Sequence, residues 1–218
     1  MSSKTQENYL KALYYLHSKS VDIAVSDVAG VLDVSTPTVN DMVKKLHKAG
    51  LLTYEKYKPI KLTDEGLRSA ALVVRRHRLA EIFLSQIMGF GWEEVHDIAE
   101  EMEHIKSTAL FDRMDDLLGY PTADPHGSPI PDKDGNIRVV SFITLSEASI
   151  GSTVILRGLK DSNKELLLFL NRKQIQLGTK LVIVDIEEYD RSMYLNYTAG
   201  GKQHLSGQVC ANLLVEVV

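Results

Sequence analysis

The segment VHDIAEEMEHIKS, Val95 to Ser107, carries His96, Glu100, Glu103 and His104 at offsets of 0, 4, 7 and 8, the spacing of one stripe on an α-helix. Imidazole nitrogens and carboxylate oxygens both donate lone pairs, and together they are common ligands of a divalent metal. Val95, Ile98, Ala99, Met102 and Ile105 gather on an adjoining arc, so the polar stripe borders a face that packs. Upstream, His77 and Glu81 repeat the one-turn spacing on a long amphipathic segment from about Asp64 to Met88. Two antiparallel helices, each offering His and Glu one turn apart, can close a metal site between them. A histidine on one helix is ordinarily surface or satisfied core. Six donors in phase on adjacent helices are hard to explain that way.

The elements that must position those donors sit in a chain of ordinary globular composition. At 218 residues, with 44% hydrophobic and 25% charged residues, it is long enough for two or three small domains with cores. Its single cysteine, Cys210, excludes an internal disulfide framework and has no neighbouring Cys or His to make a zinc cluster. The opening MSSKTQENYL lacks a signal-peptide apolar core, and no apolar run reaches the roughly 18 to 20 residues of a membrane span. A soluble, cytoplasmic protein is therefore expected, without a membrane partner.

The first sixty residues predict a reading head for nucleic acid. TQENYLKALYYL places Tyr9, Leu10, Leu13 and Leu16 at helical spacing, and a second helix is expected from Ser26 as N-cap. A third follows at STPTVNDMVKKLHKAG, with Thr36 as N-cap, Pro37 in the first turn and Gly50 as the stop. LLTYEKYKPIKLT then predicts a short hairpin with Lys56 to Pro59 near its tip. Helix, helix, turn, helix and β wing make a winged helix-turn-helix, whose second motif helix enters the DNA major groove. Between Thr36 and Lys61 six lysines oppose Asp41 and Glu55, a local +4 inside a chain of net charge −4. Ser35, Thr36, Pro37, Thr38 and Asn40 are candidates for base-edge and phosphate contacts, with Lys44 behind them and Lys58 on the wing meeting phosphates. This face has no arginine, so modest direct readout is expected, with Pro37 and threonine methyls against thymine methyls.

RRHRLAE, VHDIAEEMEH and DPHGSPIP, preceded by a winged helix, resemble the diphtheria toxin repressor family of metal-dependent transcriptional regulators, over essentially the whole chain. The resemblance implies a homodimer held by the central helices and activated by a divalent metal to bind operator DNA upstream of metal-uptake genes. It implies a primary metal site of Glu100, Glu103 and His104 with a contribution from the first helix near Asn8, and an ancillary site of His77, Glu81 and His96. By analogy with manganese-responsive members, Asp124 and His126 of the DPHG loop also contribute. Glu100 stands where iron-type members carry cysteine and manganese-type ones glutamate, which favours Mn2+, with Fe2+ the alternative. Two positions depart from the manganese pattern: Asn8 is an uncharged oxygen donor in place of an aspartate, and Lys11 replaces an acid, so a dinuclear centre of that pattern is not expected.

YPTADPHGSPIPDKDGNI reads as a loop and linker. After it, FITLSEASIGSTVILRGL and RKQIQLGTKLVIVDIEE share an Ile/Leu-Gly-Ser/Thr turn, and MYLNYTAGGKQHLSG predicts a hairpin around Gly200 and Gly201. This region resembles the SH3-like β-barrel of many family members, with a short helix at SNKELLLFL from which Glu165, or next Asp161, is the nearest match to a further metal ligand. The expected fold class is α+β and multidomain, with a DNA-binding domain over 1–71, a helical dimerisation and metal-binding domain with linker over 72–138, and an SH3-like domain over 139–218. A metalloenzyme and a metal-independent regulator are the competing readings. An enzyme needs an open coordination position and a substrate pocket with an acid or base beside it; the sequence supplies no further acid–base set, and no small organic substrate is expected.

Overall fold

The computed structural model describes residues 3–138, 140–197 and 201–218. The chain forms two compact units. The first runs up to Ala80 and adds Ala99–Leu117 and Ile130–Arg138; the second comprises Glu81–Ile98, Leu118–Pro129 and the chain beyond residue 139. The helical segment expected as a separate domain from 72 is thus shared between the two, and Val139, at the expected start of the β domain, lies outside the described residues.

In the first unit, α1 (Lys4–His17), α2 (Val25–Leu32) and α3 (Thr36–Lys48) precede the short strands β1 (Leu52–Thr53) and β2 (Lys61–Leu62), which pair antiparallel. Local chemistry sets the boundaries. Ser3 and Gln6 form a reciprocal capping box at the start of α1. α2 begins one residue before the expected cap: Ala24 is the N-cap and Asp27 reaches back to accept from its amide at 3.3 Å. The α3 cap is Ser35 rather than Thr36, since the Ser35 hydroxyl accepts from the Thr38 amide and Pro37 needs no donor in the first turn. Tyr9, Leu10 and Leu13 of α1 share one core with Val28, Val39, Val43 and Leu46, closed underneath by Ile23, Leu52 and Ile60.

The long helix α4 (Asp64–Gln86), α5 (Val95–Met102) and α6 (Thr108–Leu117) follow. The helical stripe expected to run on from Val95 to Ser107 is interrupted, because α5 ends at Met102. Glu103 keeps a helical bond to the Ala99 carbonyl, but Ile105 bonds Met102 instead, tightening the chain into a turn that carries Glu103 and His104. Among the described residues no helix is long and apolar enough to cross a membrane.

The second unit is built on an antiparallel sheet in the order β3-β8-β4-β5-β6-β7, from β3 (Ile143–Thr144), β4 (Thr153–Leu159), β5 (Lys180–Ile186), β6 (Met193–Tyr197), β7 (Gly201–Leu205) and β8 (Leu213–Val217). Helix α7 (Lys164–Arg172), capped by Asn163, and the short α8 (Gly207–Cys210) close its core around Leu156, Leu170, Leu181, Ile183, Leu195 and Leu213. This is the SH3-like domain of the expected fold. β6 and β7 make the expected hairpin, of which Gly200 lies outside the described residues. The matched motifs are matched turns: Gly151 and Gly178 both adopt positive φ, at 81° and 86°. The Gly151 amide donates to the Ile183 carbonyl of β5 and the Gly178 amide to the Leu156 carbonyl of β4, while the Ile183 and Leu156 amides return bonds to Ser152 and Thr179.

Candidate metal centre

Two sets of donors are brought together, one in each unit. In the first, α1 supplies Glu7 and Lys11, α4 supplies Arg76 and His77, and α5 with its following turn supplies Glu100, Glu103 and His104; Asn8 follows Glu7 on α1. Glu103 is fully buried. Its Oε2 accepts from Lys11 Nζ at 2.8 Å and from His77 Nδ1 at 2.7 Å, and Lys11 also pairs with Glu100. Burial pushes the Glu103 carboxyl up, but the His77 hydrogen bond and the Lys11 charge outweigh it and hold the group below the ordinary carboxylate range.

The other oxygen of Glu103 faces a different surrounding. Oε1 has no hydrogen-bond partner, and neither do the buried Nε2 of His104 and Oδ1 of Asn8. Glu103 Oε1 and His104 Nε2 stand 3.5 Å apart. His104 Nδ1 lies 2.7 Å from Glu7 Oε2; a carboxylate there takes Nδ1–H as its donor, which in the neutral imidazole puts the lone pair on Nε2. In that tautomer two buried acceptors, Glu103 Oε1 and His104 Nε2, face each other. Leaving such atoms unsatisfied costs about 1–3 kcal/mol each, and a cation between them would remove the cost. The residues fit a divalent metal.

Glu7 was not expected here, since helix neighbours point about 100° apart. It does not take Asn8's place; it holds His104 from behind, and Arg76 balances its charge at 3.1 Å. Arg76 also donates to the Glu103 carbonyl at 2.6 Å, fixing the turn. Glu7 and Lys11, an acid and a base one turn apart in QENYLK, and Arg76 in RRHR are the signal that could have revealed them.

In the second unit Glu81, Asp124 and His126, all buried, each offer a ligand atom, and these atoms lie within 4.8 Å of one another. The DPHG segment, read as loop, is a tight turn organised by Asp124, whose Oδ1 accepts from the amides of His126 at 2.8 Å and Ser128 at 2.9 Å. Gly127 sits at φ 87°, and a Cβ there would meet the Arg157 carbonyl at 2.2 Å, so only glycine lets the turn lie on β4. His126 Nε2 is 2.8 Å from the Trp92 carbonyl; that contact requires Nε2–H and leaves the Nδ1 lone pair 3.9 Å from Glu81 Oε2. His96, mostly exposed, lies 3.3 Å from the other Glu81 oxygen. Of the expected ancillary set, Glu81 and His96 lie together in the second unit, and His77, one turn before Glu81 on α4, also bonds Glu103. Glu165 is exposed in the first turn of α7 and is not in the Glu81 set; Asp161 accepts from the Asn163 amide and side chain beside that helix.

Ser35, Thr36, Pro37, Thr38 and Lys44 are exposed on α3, as is Lys58 on the wing. Thr36, Pro37, Asn40 and Lys44 line a groove of about 900 Å³ with Tyr57 and Lys58. Ser35 and Thr38 share a hydroxyl hydrogen bond at 2.8 Å. Asn40 accepts from the Tyr54 hydroxyl at 2.7 Å, so its carbonyl oxygen is already engaged. Lys58 pairs with Glu55 at 2.5 Å and Lys44 with Asp41 at 3.7 Å, contacts too exposed to hold either lysine from another anion.

A winged three-helix unit with buried oxygen and nitrogen donors behind it defines a class of regulatory proteins. Residues 1–60 match the family described as iron dependent repressor, N-terminal DNA binding domain, and residues 63–132 match iron dependent repressor, metal binding and dimerisation domain. The chain belongs to this family, which includes the diphtheria toxin repressor. It is 39% identical over 127 residues to the iron-dependent repressor IdeR of Mycobacterium tuberculosis, covering 58% of this chain and 55% of that protein. It is 34% identical over 130 residues to the diphtheria toxin repressor of Corynebacterium diphtheriae, covering 60% and 58%. The chain thus spans little more than half the length of these curated relatives. A solved structure described as a manganese-dependent transcriptional repressor in complex with manganese is similar at a TM-score of 0.88 and 31% identity, over 97% of this chain and 99% of that one.

Proposed function

We propose that this chain is a divalent-metal-dependent repressor that binds operator DNA as a homodimer in the cytoplasm and shuts down metal uptake, with manganese as the activating ion and ferrous iron as its nearest rival. The observation that carries the reading is the pair of unpartnered buried acceptors, Glu103 Oε1 and His104 Nε2, together with Asn8 Oδ1 on α1. A metal held there would join α1 to the turn after α5. The opposite face of α1 packs in the same core as α2 and α3, so fixing α1 fixes the helix that would enter the groove. Such a metal shifts a two-state population only by its differential affinity for the two states, and about 5.5 kcal/mol moves the ratio from 1:99 to 99:1.

Support for manganese comes from donor chemistry. Both donor sets offer carboxylate and imidazole atoms, the first adds the Asn8 amide oxygen, and neither offers a thiolate, a hard environment suited to Mn2+ and Fe2+. Affinity alone does not select manganese, because zinc binds most such sites more tightly; selection rests on geometry. The manganese-bound relative is consistent with this choice, and the IdeR relatives keep iron as the alternative.

The test is selection of binding sites from a random DNA pool with metal-loaded protein, then affinity for the selected duplex at fixed free activities of Mn2+, Fe2+ (anaerobically), Zn2+ and Co2+. Chelated protein should bind weakly and manganese should restore binding best. Affinity indifferent to stringent chelation would reject metal dependence, and activation by iron at lower activity than manganese would make it an iron-responsive regulator.

A further inference from the structure

Glu103 divides its two oxygens between two cation positions, and one of those positions is already filled by the chain. Oε2 lies 2.8 Å from the Lys11 ammonium, which also pairs with Glu100. Oε1 has no hydrogen-bond partner and lies 3.5 Å from His104 Nε2, itself without one. The Lys11 side chain is only 9% exposed, and Glu103 is fully buried. A charge held this deep requires compensation, and here the compensation is reciprocal: two carboxylates for one ammonium, with a second cation position beyond.

We propose that Lys11 is a resident cation that completes one half of a two-cation cluster, so that the first unit accepts a single divalent ion, on the Asn8–Glu103–His104 side. The inference rests on the metal reading above and deepens it by assigning the number of ions and the residue that sets it. In this arrangement Glu100 belongs to the ammonium. Its carboxylate supports the site by holding Lys11 rather than by coordinating the ion, and Glu103 bridges a monocation and a dication. The fixed ammonium also lowers the net negative charge that attracts an incoming ion, so a free metal concentration sufficient to fill the site is higher than the same donors would need with a neutral residue at position 11. Lys11 thereby acts as a setting of sensitivity as well as of stoichiometry, without touching the metal.

The experiment counts ions in the whole chain carrying Glu81→Ala, Asp124→Ala and His126→Ala, which removes the second-unit donor set and leaves the first-unit cluster. Equilibrium dialysis with Mn2+ should give one ion per chain, and its electron paramagnetic resonance spectrum should be that of an isolated ion. In the same background, Lys11→Glu should raise the count to two per chain, with the broadened spectrum of ions coupled through the Glu103 carboxylate. Lys11→Gln should keep one ion but bind it at lower free Mn2+. Two coupled ions per chain with Lys11 in place would overturn the proposal whether or not either variant folds. So would Lys11→Gln binding its ion no more tightly than the parent when its circular dichroism is unchanged. No ion in the parent background would instead overturn the metal reading itself, and this inference with it.

Discussion

His104 and Glu7 are 97 residues apart in the chain and 2.7 Å apart in space, with the carboxylate behind the imidazole nitrogen that faces away from Glu103. The contact fixes the tautomer and the ring plane of His104, and it makes a residue of α1 part of the site without making it a ligand. Partners of this kind raise ligand basicity, and their loss typically costs 10- to 100-fold in metal affinity.

Glu7→Gln should therefore weaken Mn2+ binding at the first-unit site by roughly 10-fold or more while leaving its stoichiometry unchanged. Titration calorimetry on protein lacking the Glu81, Asp124 and His126 donors reads both quantities. An affinity equal to the parent's would mean that His104 is not a ligand or needs no orientation.

Lys44→Ala and Lys58→Ala should each lower affinity for every duplex, specific or not, and reduce the slope of log affinity against log salt by about one, because each removes one phosphate contact and its released counterion. Thr38→Ala should instead change which sequences are preferred. Fluorescence anisotropy across a salt series separates the two patterns, and unchanged slopes in both lysine variants would move the DNA face elsewhere.

Gly127→Ala places a methyl group against the Arg157 carbonyl at a backbone φ of 87°. A left-handed conformation alone costs a residue with a Cβ about 1–2 kcal/mol, and the clash forces the turn off β4. Loss of the second-unit ion, with the first-unit ion retained, is the expected result by metal counting and thermal denaturation.

Burial pushes the Cys210 thiol up from 9.0 to about 12. The native thiol should resist alkylation and disulfide reagents at neutral pH, and labelling should track unfolding of the β domain. The sign of the linkage is that of an acid kept neutral by folding: stability is full below pH 9.0 and falls as pH rises toward about 12, because the unfolded thiol ionises first. Rapid labelling of native protein at pH 7 would contradict this placement.

The order of the reading head was legible because its signals are local: apolar spacing in Tyr9–Leu13, Pro37 in the first turn of α3, and Gly50 after it. Glu103 and His104 were legible as metal donors from residue type. Their geometry was not, because MEHIKS carries no helix-stopping residue and the end of α5 is set by Arg76 gripping the Glu103 carbonyl from another helix. The same limit hid the roles of Glu7 and Lys11. Periodicity shows which face of α1 packs, but an ion pair spanning about ninety residues leaves no trace in spacing. The DPHG turn read as a linker because its order comes from Asp124 accepting two backbone amides, a bond pattern that composition alone does not distinguish from an ordinary loop.

The reciprocal bonds of Gly151 and Gly178 have a kinetic meaning. Each turn is secured by the strand that the other turn launches, so neither β4 nor β5 has a finished start until both are paired. A half-formed intermediate holding one turn would leave the other's amide and carbonyl unsatisfied. The amides of Gly151, Leu156, Gly178 and Ile183 should accordingly exchange with solvent deuterium at one common rate, opening together as a single cooperative unit rather than fraying from either end.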